Sequence, residues 1–132
     1  MTTELYWLTL TCLLTSLLWI PYILNRIVTR GLPRAMGNPQ SDDKPHSQWA
    51  DRSIRAHDNA VENLVVFAAL VLVAHVAGVS SALTIAAAEI YFFARLAHYL
   101  IYLFGIPYLR TLTFAVGWIM QLIFALSILG II

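Results

Sequence analysis

Four long apolar stretches are the feature of this sequence that most restricts how the chain can fold. They cover about residues 5–27, 60–79, 82–104 and 109–131. Each is close to the roughly 20 residues that a helix needs to cross a bilayer. Lipid offers no hydrogen-bond partners to the backbone of an open strand. The stretches therefore predict four transmembrane helices, and Pro21 is expected to kink the first helix rather than end it.

The composition favours a membrane protein over a soluble domain. Of the 132 residues, 60% are hydrophobic and 11% are charged, whereas soluble domains carry about 25% charged residues. No basic tract interleaved with aromatic side chains is present, which argues against a nucleic-acid partner. The single cysteine, Cys12, lies within an apolar stretch and has no internal disulfide partner. We interpret Cys12 as a small buried hydrophobic residue.

The links between the predicted helices are very unequal in length. About residues 28–54 form one polar loop with several glycines and prolines. The later helices are joined by little more than GVSSA (78–82) and GIPY (105–108). Links this short force neighbouring helices to run antiparallel. The prediction is a single all-α domain, an integral membrane bundle of four transmembrane helices.

The lysines and arginines predict how the bundle is oriented in the membrane. Most of them lie in the long loop or at its edges, and Arg110 begins the fourth helix on the same side. The opposite face carries Glu4 and neither lysine nor arginine. The positive-inside rule therefore places the long loop in the cytoplasm and both termini on the non-cytoplasmic side. The short loops and the sparsely charged opposite face favour a bacterial inner membrane.

Polar side chains interrupt the apolar stretches at one depth, near the cytoplasmic surface. On the second helix they lie within roughly 60° of one another around the axis, and the third helix carries a similar stripe. They are Arg30 on the first helix, Arg55, Asn59 and Glu62 on the second, Arg95, His98 and Tyr102 on the third, and Arg110 on the fourth. Together these residues would form the wall of a binding site.

The chemistry of this wall suits a small zwitterion with additional carboxylates. Guanidinium groups match carboxylates in pairs. The carboxylate of Glu62 suits an ammonium group or another arginine, and the amide of Asn59 can both donate and accept. Helix grooves that are open to lipid would suit an apolar second substrate.

A purely structural interpretation fits the same residues. Arg55 and Arg110 could anchor helix ends at the lipid headgroups, and Glu62 could form an intramembrane ion pair with Arg95. No metal site is expected, because the four histidines lack any metal-binding spacing. His75 and Glu89 lie away from the stripes and are expected to form hydrogen bonds between helices.

Several segments resemble the MAPEG family, the membrane-associated proteins in eicosanoid and glutathione metabolism. RAHDNAVENLVVF (55–67) resembles the family's second-helix signature. RAMGNPQ (34–40), ARLAHYLIY (94–102) and LRTLTF (109–114) are similar to its first loop, its third helix and the start of its fourth. The resemblance runs from about residue 30 to the end and is especially clear for the microsomal glutathione transferase and prostaglandin E synthase members.

The resemblance implies a homotrimer that binds glutathione between its subunits, on the cytoplasmic side. It also implies a glutathione transferase or peroxidase that acts on lipophilic electrophiles in the membrane. Arg110, with Thr111, would hold the glutathione sulfur as a thiolate. Residues that match glutathione-contacting or site-lining positions are Arg30, Arg55, Asn59, Glu62, His98, Tyr102 and Arg110, and Arg95 shares the stripe of His98 and Tyr102. In such a trimer, Glu62 is expected to pair with Arg95 or with an arginine of a neighbouring subunit.

Three positions depart from the prostaglandin synthase pattern within the family. Asp58 stands where that enzyme has arginine, Phe114 replaces a tyrosine, and Thr111 replaces a serine but keeps a hydroxyl. These changes argue against the prostaglandin reaction. The family also has a non-catalytic lipid-binding member, so a lipid-binding or scaffold protein of the same fold is the alternative to an enzyme.

Overall fold

The computed structural model describes all of residues 1–132, and its regular structure is entirely helical, as predicted. Its six helices are α1 (Thr3–Leu17), α2 (Trp19–Arg30), α3 (Leu32–Met36), α4 (Gln48–Val76), α5 (Ala82–Leu103) and α6 (Pro107–Ile128). The long predicted loop is therefore partly helical. It contains α3, and α4 begins well before the apolar stretch that starts near residue 60.

The helices α1 and α2 form one interrupted segment of membrane-spanning length, Thr3–Arg30. The interruption is the single residue Leu18, which keeps helical backbone angles of φ −68° and ψ −13°. Pro21 has no N–H to donate to the carbonyl of Leu17 one turn earlier, so the helix loses that hydrogen bond at the interruption. Pro21 does not end the span, as predicted, because the helical segment continues to Arg30; the kink at Pro21 stays a prediction.

Three helical segments are long and apolar enough to cross a membrane. They are Thr3–Arg30, Gln48–Val76 and Pro107–Ile128. The fourth predicted span, α5, is not among these segments, and Glu89, Arg95 and His98 interrupt its apolar sequence. By length and composition, three of the four predicted spans are confirmed.

An aromatic core holds the bundle together. α5 packs most extensively on α6 and also contacts α1 and α4. Phe67 stacks on Tyr91 with 3.7 Å between ring centroids, and Phe124 meets Phe67 edge-on at 5.8 Å. Many large apolar side chains remain on the outer surface, which suits contact with lipid. Cys12 is also exposed, so the prediction that it is buried is wrong for the single chain.

The two ends of the bundle differ in charge. We call the end with residues 31–47 and the 104–106 turn the basic end, and the end with residues 1–2 and the 77–81 turn the far end. At the basic end, Arg34 pairs with Asp42 and Asp43, and Arg30 Nε donates to the Lys44 carbonyl at 2.8 Å. These contacts fold the loop that precedes α4 back onto the end of α2.

Candidate functional site

A cavity of about 200 Å³ lies near the basic end, where α4, α5 and α6 meet. The residues that line it are Asn59, His98, Tyr102, Arg110, Thr111 and Phe114. Apart from Phe114, all were predicted as site residues. The fold thus brings together polar side chains from three helices, although Asn59 and Thr111 are 52 positions apart in the sequence.

The turn between α5 and α6 sets the position of Arg110 relative to Tyr102. Gly105 has φ 73°, a left-handed conformation that favours glycine. Arg52 of α4 lies against this turn and donates from Nε to the Leu103 carbonyl at 3.0 Å. Pro107 begins α6 at a position where its missing N–H costs nothing. The first turn of α6 is thereby held beside the end of α5.

Arg110 is held by an aromatic ring rather than by an acid. Its guanidinium carbon lies 4.5 Å from the centroid of the Tyr102 ring. Such a cation–π contact restrains the side chain without using its N–H donors. The Arg110 side chain makes no hydrogen bond or ion pair within the chain, so those donors remain available to an anionic ligand.

His98 is fixed by the first turn of α6. Its Nδ1 lies 3.1 Å from the Arg110 carbonyl oxygen and 3.2 Å from Thr113 Oγ1. A carbonyl can only accept, so Nδ1 carries the proton. The other ring nitrogen, Nε2, is buried and has no hydrogen-bond partner in the chain. His98 therefore ties α5 to α6 and leaves one nitrogen uncommitted.

Arg95 contacts Asn59 and not the predicted Glu62. Its Nη2 donates to Asn59 Oδ1 at 2.6 Å, and Arg95 is only 4% exposed. The alternative that Glu62 pairs with Arg95 is wrong within one chain. Asn59 and Glu62 differ by about 60° around α4, and it is Asn59 that faces the bundle interior while Glu62 is exposed. With Oδ1 engaged, Asn59 can offer its amide N–H groups to the cavity.

Three other predicted site residues lie outside this cavity. Arg55 and Glu62 are exposed on α4. Arg30 is the last residue of α2 at the basic end, where one of its guanidinium nitrogens also lies 3.6 Å from Asp43. A single chain therefore brings some of the predicted site residues together in the cavity and leaves the others on its surface.

The loop at the basic end contains two titratable groups with shifted pKa values. Burial lowers the pKa of His46 below its usual 6.5, and the cations Arg26 and Arg30 lower it further. Arg26 Nε donates to His46 Nε2 at 3.1 Å, which requires that nitrogen to be unprotonated. The pKa of Asp43 is also lowered, first by the backbone N–H of Gln40 and then by Arg34.

Two residues that position the cavity were not among the predicted site residues. Thr113 follows Arg110 by three positions, a spacing that places both on one side of α6 and could have indicated its contact with His98. Arg52 appeared in the sequence only as one more cation of a basic segment. No local signal reveals that it reaches the end of α5.

The comparison with known families decides the identity of the fold. The model of the MAPEG family matches residues 5–130. The chain belongs to the MAPEG family. The resemblance predicted from short motifs is thereby confirmed, and the match also includes the first helix. No curated protein and no solved structure matches this MAPEG chain. Its apolar helices and its family together make it an integral membrane protein of a family associated with glutathione metabolism.

Proposed function

We propose that this MAPEG protein is a glutathione-dependent transferase or peroxidase that acts on lipophilic electrophiles. The observation that carries the proposal is the cavity beside Arg110, where a guanidinium with free donors lies among an amide and two hydroxyl-bearing side chains. These groups are Asn59, Tyr102 and Thr111. They offer donors to carboxylate and thiolate groups, and glutathione carries both.

One chain would hold only part of a glutathione molecule. The cavity of about 200 Å³ is smaller than the roughly 300–1,000 Å³ of typical small-molecule sites. Arg55 and Glu62, which would bind a carboxylate and the ammonium group, lie exposed on the outer side of α4. A neighbouring subunit packed against this face would enclose the ligand between the two chains. These features support a homotrimer with glutathione at its subunit interfaces.

The same assembly would make α5 a fourth membrane span. Arg95 and His98 are 4% and 3% exposed and face the bundle interior, so they do not meet lipid. Glu89 is exposed on the single chain, and a carboxylate in that position would be costly in lipid. A neighbouring subunit would cover it. We therefore infer four spans. The basic end would lie in the cytoplasm of a bacterium, and both termini would lie on the opposite, non-cytoplasmic side of the inner membrane.

Within this site, Arg110 would act on the sulfur of glutathione. A guanidinium close to a thiol favours the thiolate and so lowers the thiol pKa. The Thr111 hydroxyl can donate a second hydrogen bond to the same sulfur. The thiolate then forms a bond to an electrophilic carbon, and the leaving group departs with its electron pair. Binding both reactants together supplies the proximity that the reaction needs.

Calorimetric titration of the purified protein with glutathione tests the binding step. The wild type should bind at millimolar concentrations or below. Arg110→Ala should bind at least about tenfold more weakly, since a charge-assisted hydrogen bond contributes roughly 1.5–3 kcal/mol. Lys44→Ala is the matched control, because it removes a positive charge from an exposed side chain outside the cavity.

Conjugation of a lipophilic model electrophile tests the catalytic step. Arg110→Ala should lower kcat by about 10²–10³, the usual effect of removing one preorganised donor to a developing or stabilised anion. Arg110→Lys should recover part of the loss because it keeps the charge. If glutathione binds and turnover is the same in all variants, Arg110 has no catalytic role. Absence of glutathione binding would favour the non-catalytic lipid-binding or scaffold function.

A further inference from the structure

A second cavity, of about 240 Å³, lies at the far end of the bundle, away from Arg110. It forms where the start of α1 meets the end of α4 and the turn that follows it. Its polar walls are Thr2, Glu4, His75 and Ser80, and its apolar walls include Val71 and Ala74. None of these residues belongs to the glutathione site proposed above.

Glu4 is held in this cavity through one of its two carboxylate oxygens. Ser80 Oγ and Thr84 Oγ1 both lie 2.8 Å from Oε1, at donor distance. Oε2 accepts no hydrogen bond of ordinary geometry from the chain, although the Thr2 hydroxyl and the backbone N–H of Glu4 itself lie close to the carboxylate. Thr84 is itself fixed by reciprocal capping bonds with Ser81 at the start of α5. The carboxylate is 5% exposed and is therefore oriented by α5, with one oxygen uncommitted in the wall of the cavity.

No cation of the chain compensates the charge of Glu4. The ion pairs of the chain all lie at the basic end, and the amino group of Met1 makes none. No lysine or arginine lines the cavity, and His75 is not within ion-pair distance of Glu4. A buried carboxylate is costly unless a cation or several donors satisfy it. A cation from outside the chain would complete this site.

We propose that this cavity binds a primary ammonium group, supplied by an ethanolamine lipid headgroup or by a free amine. An ammonium group has three donors, which Oε2 of Glu4 and the oxygens of Thr2 and Ser80 can accept. The cavity also lies at the C-terminal end of α4, whose negative partial charge favours a cation. At the far end of a membrane bundle, this is the level at which lipid headgroups are found.

The residues that line the cavity do not suit other kinds of cation. A quaternary ammonium group is usually bound by aromatic rings, and none of the residues that line the cavity is aromatic. Calcium takes six to eight oxygen ligands, whereas this cavity has one carboxylate, and the chain contains no group of three metal-binding side chains. Glu4 also repels anions. A primary ammonium is the ligand that the available acceptors suit.

Lipid binding and thermal stability together test this site. Full-length protein in detergent is exposed to phosphatidylethanolamine or phosphatidylcholine with the same acyl chains, and bound lipid is counted by native mass spectrometry. Thermal melting is recorded in parallel with ethanolamine chloride and with choline chloride at equal ionic strength. The variants are Glu4→Gln, which keeps an acceptor for Ser80 and Thr84, and Ser80→Leu, which places an apolar side chain at the cavity wall.

The wild type should prefer the ethanolamine lipid by about tenfold, the effect of one charge-assisted hydrogen bond. Both variants should lose this preference. Asp42→Asn, which neutralises an exposed carboxylate at the basic end, should keep it. Stabilisation by free ethanolamine without a lipid preference would identify a soluble amine as the source. If Glu4→Gln fails to fold, the lipid preference of Ser80→Leu tests the proposal in its place. Equal response of the wild type to the ethanolamine and choline forms in both assays would overturn the proposal.

Discussion

At the scale of single residues, the pairing of Arg95 with Asn59 links the bundle core to the cavity. The guanidinium is almost fully buried and meets an amide oxygen instead of a carboxylate. Its Nε has no hydrogen-bond partner in the chain. Such a charge adds little net stability. The contact instead orients Asn59, because it leaves the amide N–H groups of Asn59 free to face the cavity.

Substitutions at these two positions should have opposite effects on stability. Asn59→Ala leaves a buried guanidinium unpaired and should lower the free energy of unfolding by roughly 3–5 kcal/mol. Arg95→Met removes the charge at similar volume and should leave the melting temperature unchanged or higher. Glutathione affinity should fall in both, because Asn59 is lost or reoriented. Thermal melting and calorimetry measure these effects.

The double variant is the decisive control for this pair. Asn59→Ala combined with Arg95→Met should recover most of the stability that Asn59→Ala loses, because no buried charge then remains. If the effects of the two single substitutions on stability simply add, the two residues are not coupled through their contact.

At the scale of elements, two connections determine where the cavity residues lie. The turn from α5 to α6 is braced by Arg52, which reaches it from α4. The loop from α2 to α4 is braced by contacts of Arg26 and Arg30 with His46, Lys44 and Asp43. Both use arginines to hold segments of chain at the basic end. Each connection therefore can be loosened by a single change.

Gly105→Ala should disturb the site as well as the fold. The left-handed backbone at this position costs an L-residue about 1–2 kcal/mol, and an added Cβ would lie 3.2 Å from Arg52 Nε. Stability should fall, and glutathione affinity should fall with it, because Arg110 follows this turn. Gly78→Ala is the matched control, since Gly78 lies at the far end and has φ 70° and no atom within 4 Å of an added Cβ. It should lose stability but keep glutathione affinity.

The loop before α4 should loosen in acid. Because the pKa of His46 is held below 6.5, the folded loop binds a proton less readily than the unfolded chain does. Its contribution to stability is complete above about pH 6.5 and is lost as the pH falls towards the lowered pKa. The protection factors of residues 38–47, which correct for the intrinsic pH dependence of exchange, should fall over that range. In His46→Gln, which keeps an acceptor for Arg26, this fall should disappear; its persistence would assign the effect to another group.

At the scale of the whole molecule, helical periodicity and apolar length explain most of what the sequence predicted. Asn59, His98 and Tyr102 share a cavity because their spacings place them on inward faces of neighbouring helices. Periodicity could not separate Asn59 from Glu62, because a 60° difference is within the uncertainty of how a helix is rotated. It also could not reveal that α4 begins at Gln48, since a helix outside the membrane has no apolar length to mark its start.

The exposed position of Glu62 leads to a prediction about assembly. Within one chain Glu62 has no ion-pair partner, so in the proposed trimer its partner must be a cation of a neighbouring subunit or the ammonium group of glutathione.

Glu62→Gln keeps the shape and removes the charge, and should weaken both glutathione binding and the trimer. Glu62→Ala should be worse, because it leaves the neighbour's arginine without charge or hydrogen bond, at a cost of roughly 3–5 kcal/mol. Asp42→Asn is the control, since Asp42 is an exposed carboxylate of the loop before α4 and lies outside this face. Native mass spectrometry gives the trimer content, and calorimetry gives the affinity. If both Glu62 variants match the parent in assembly, melting and affinity, Glu62 is a solvated side chain, and the face of α4 that carries it is not the subunit interface.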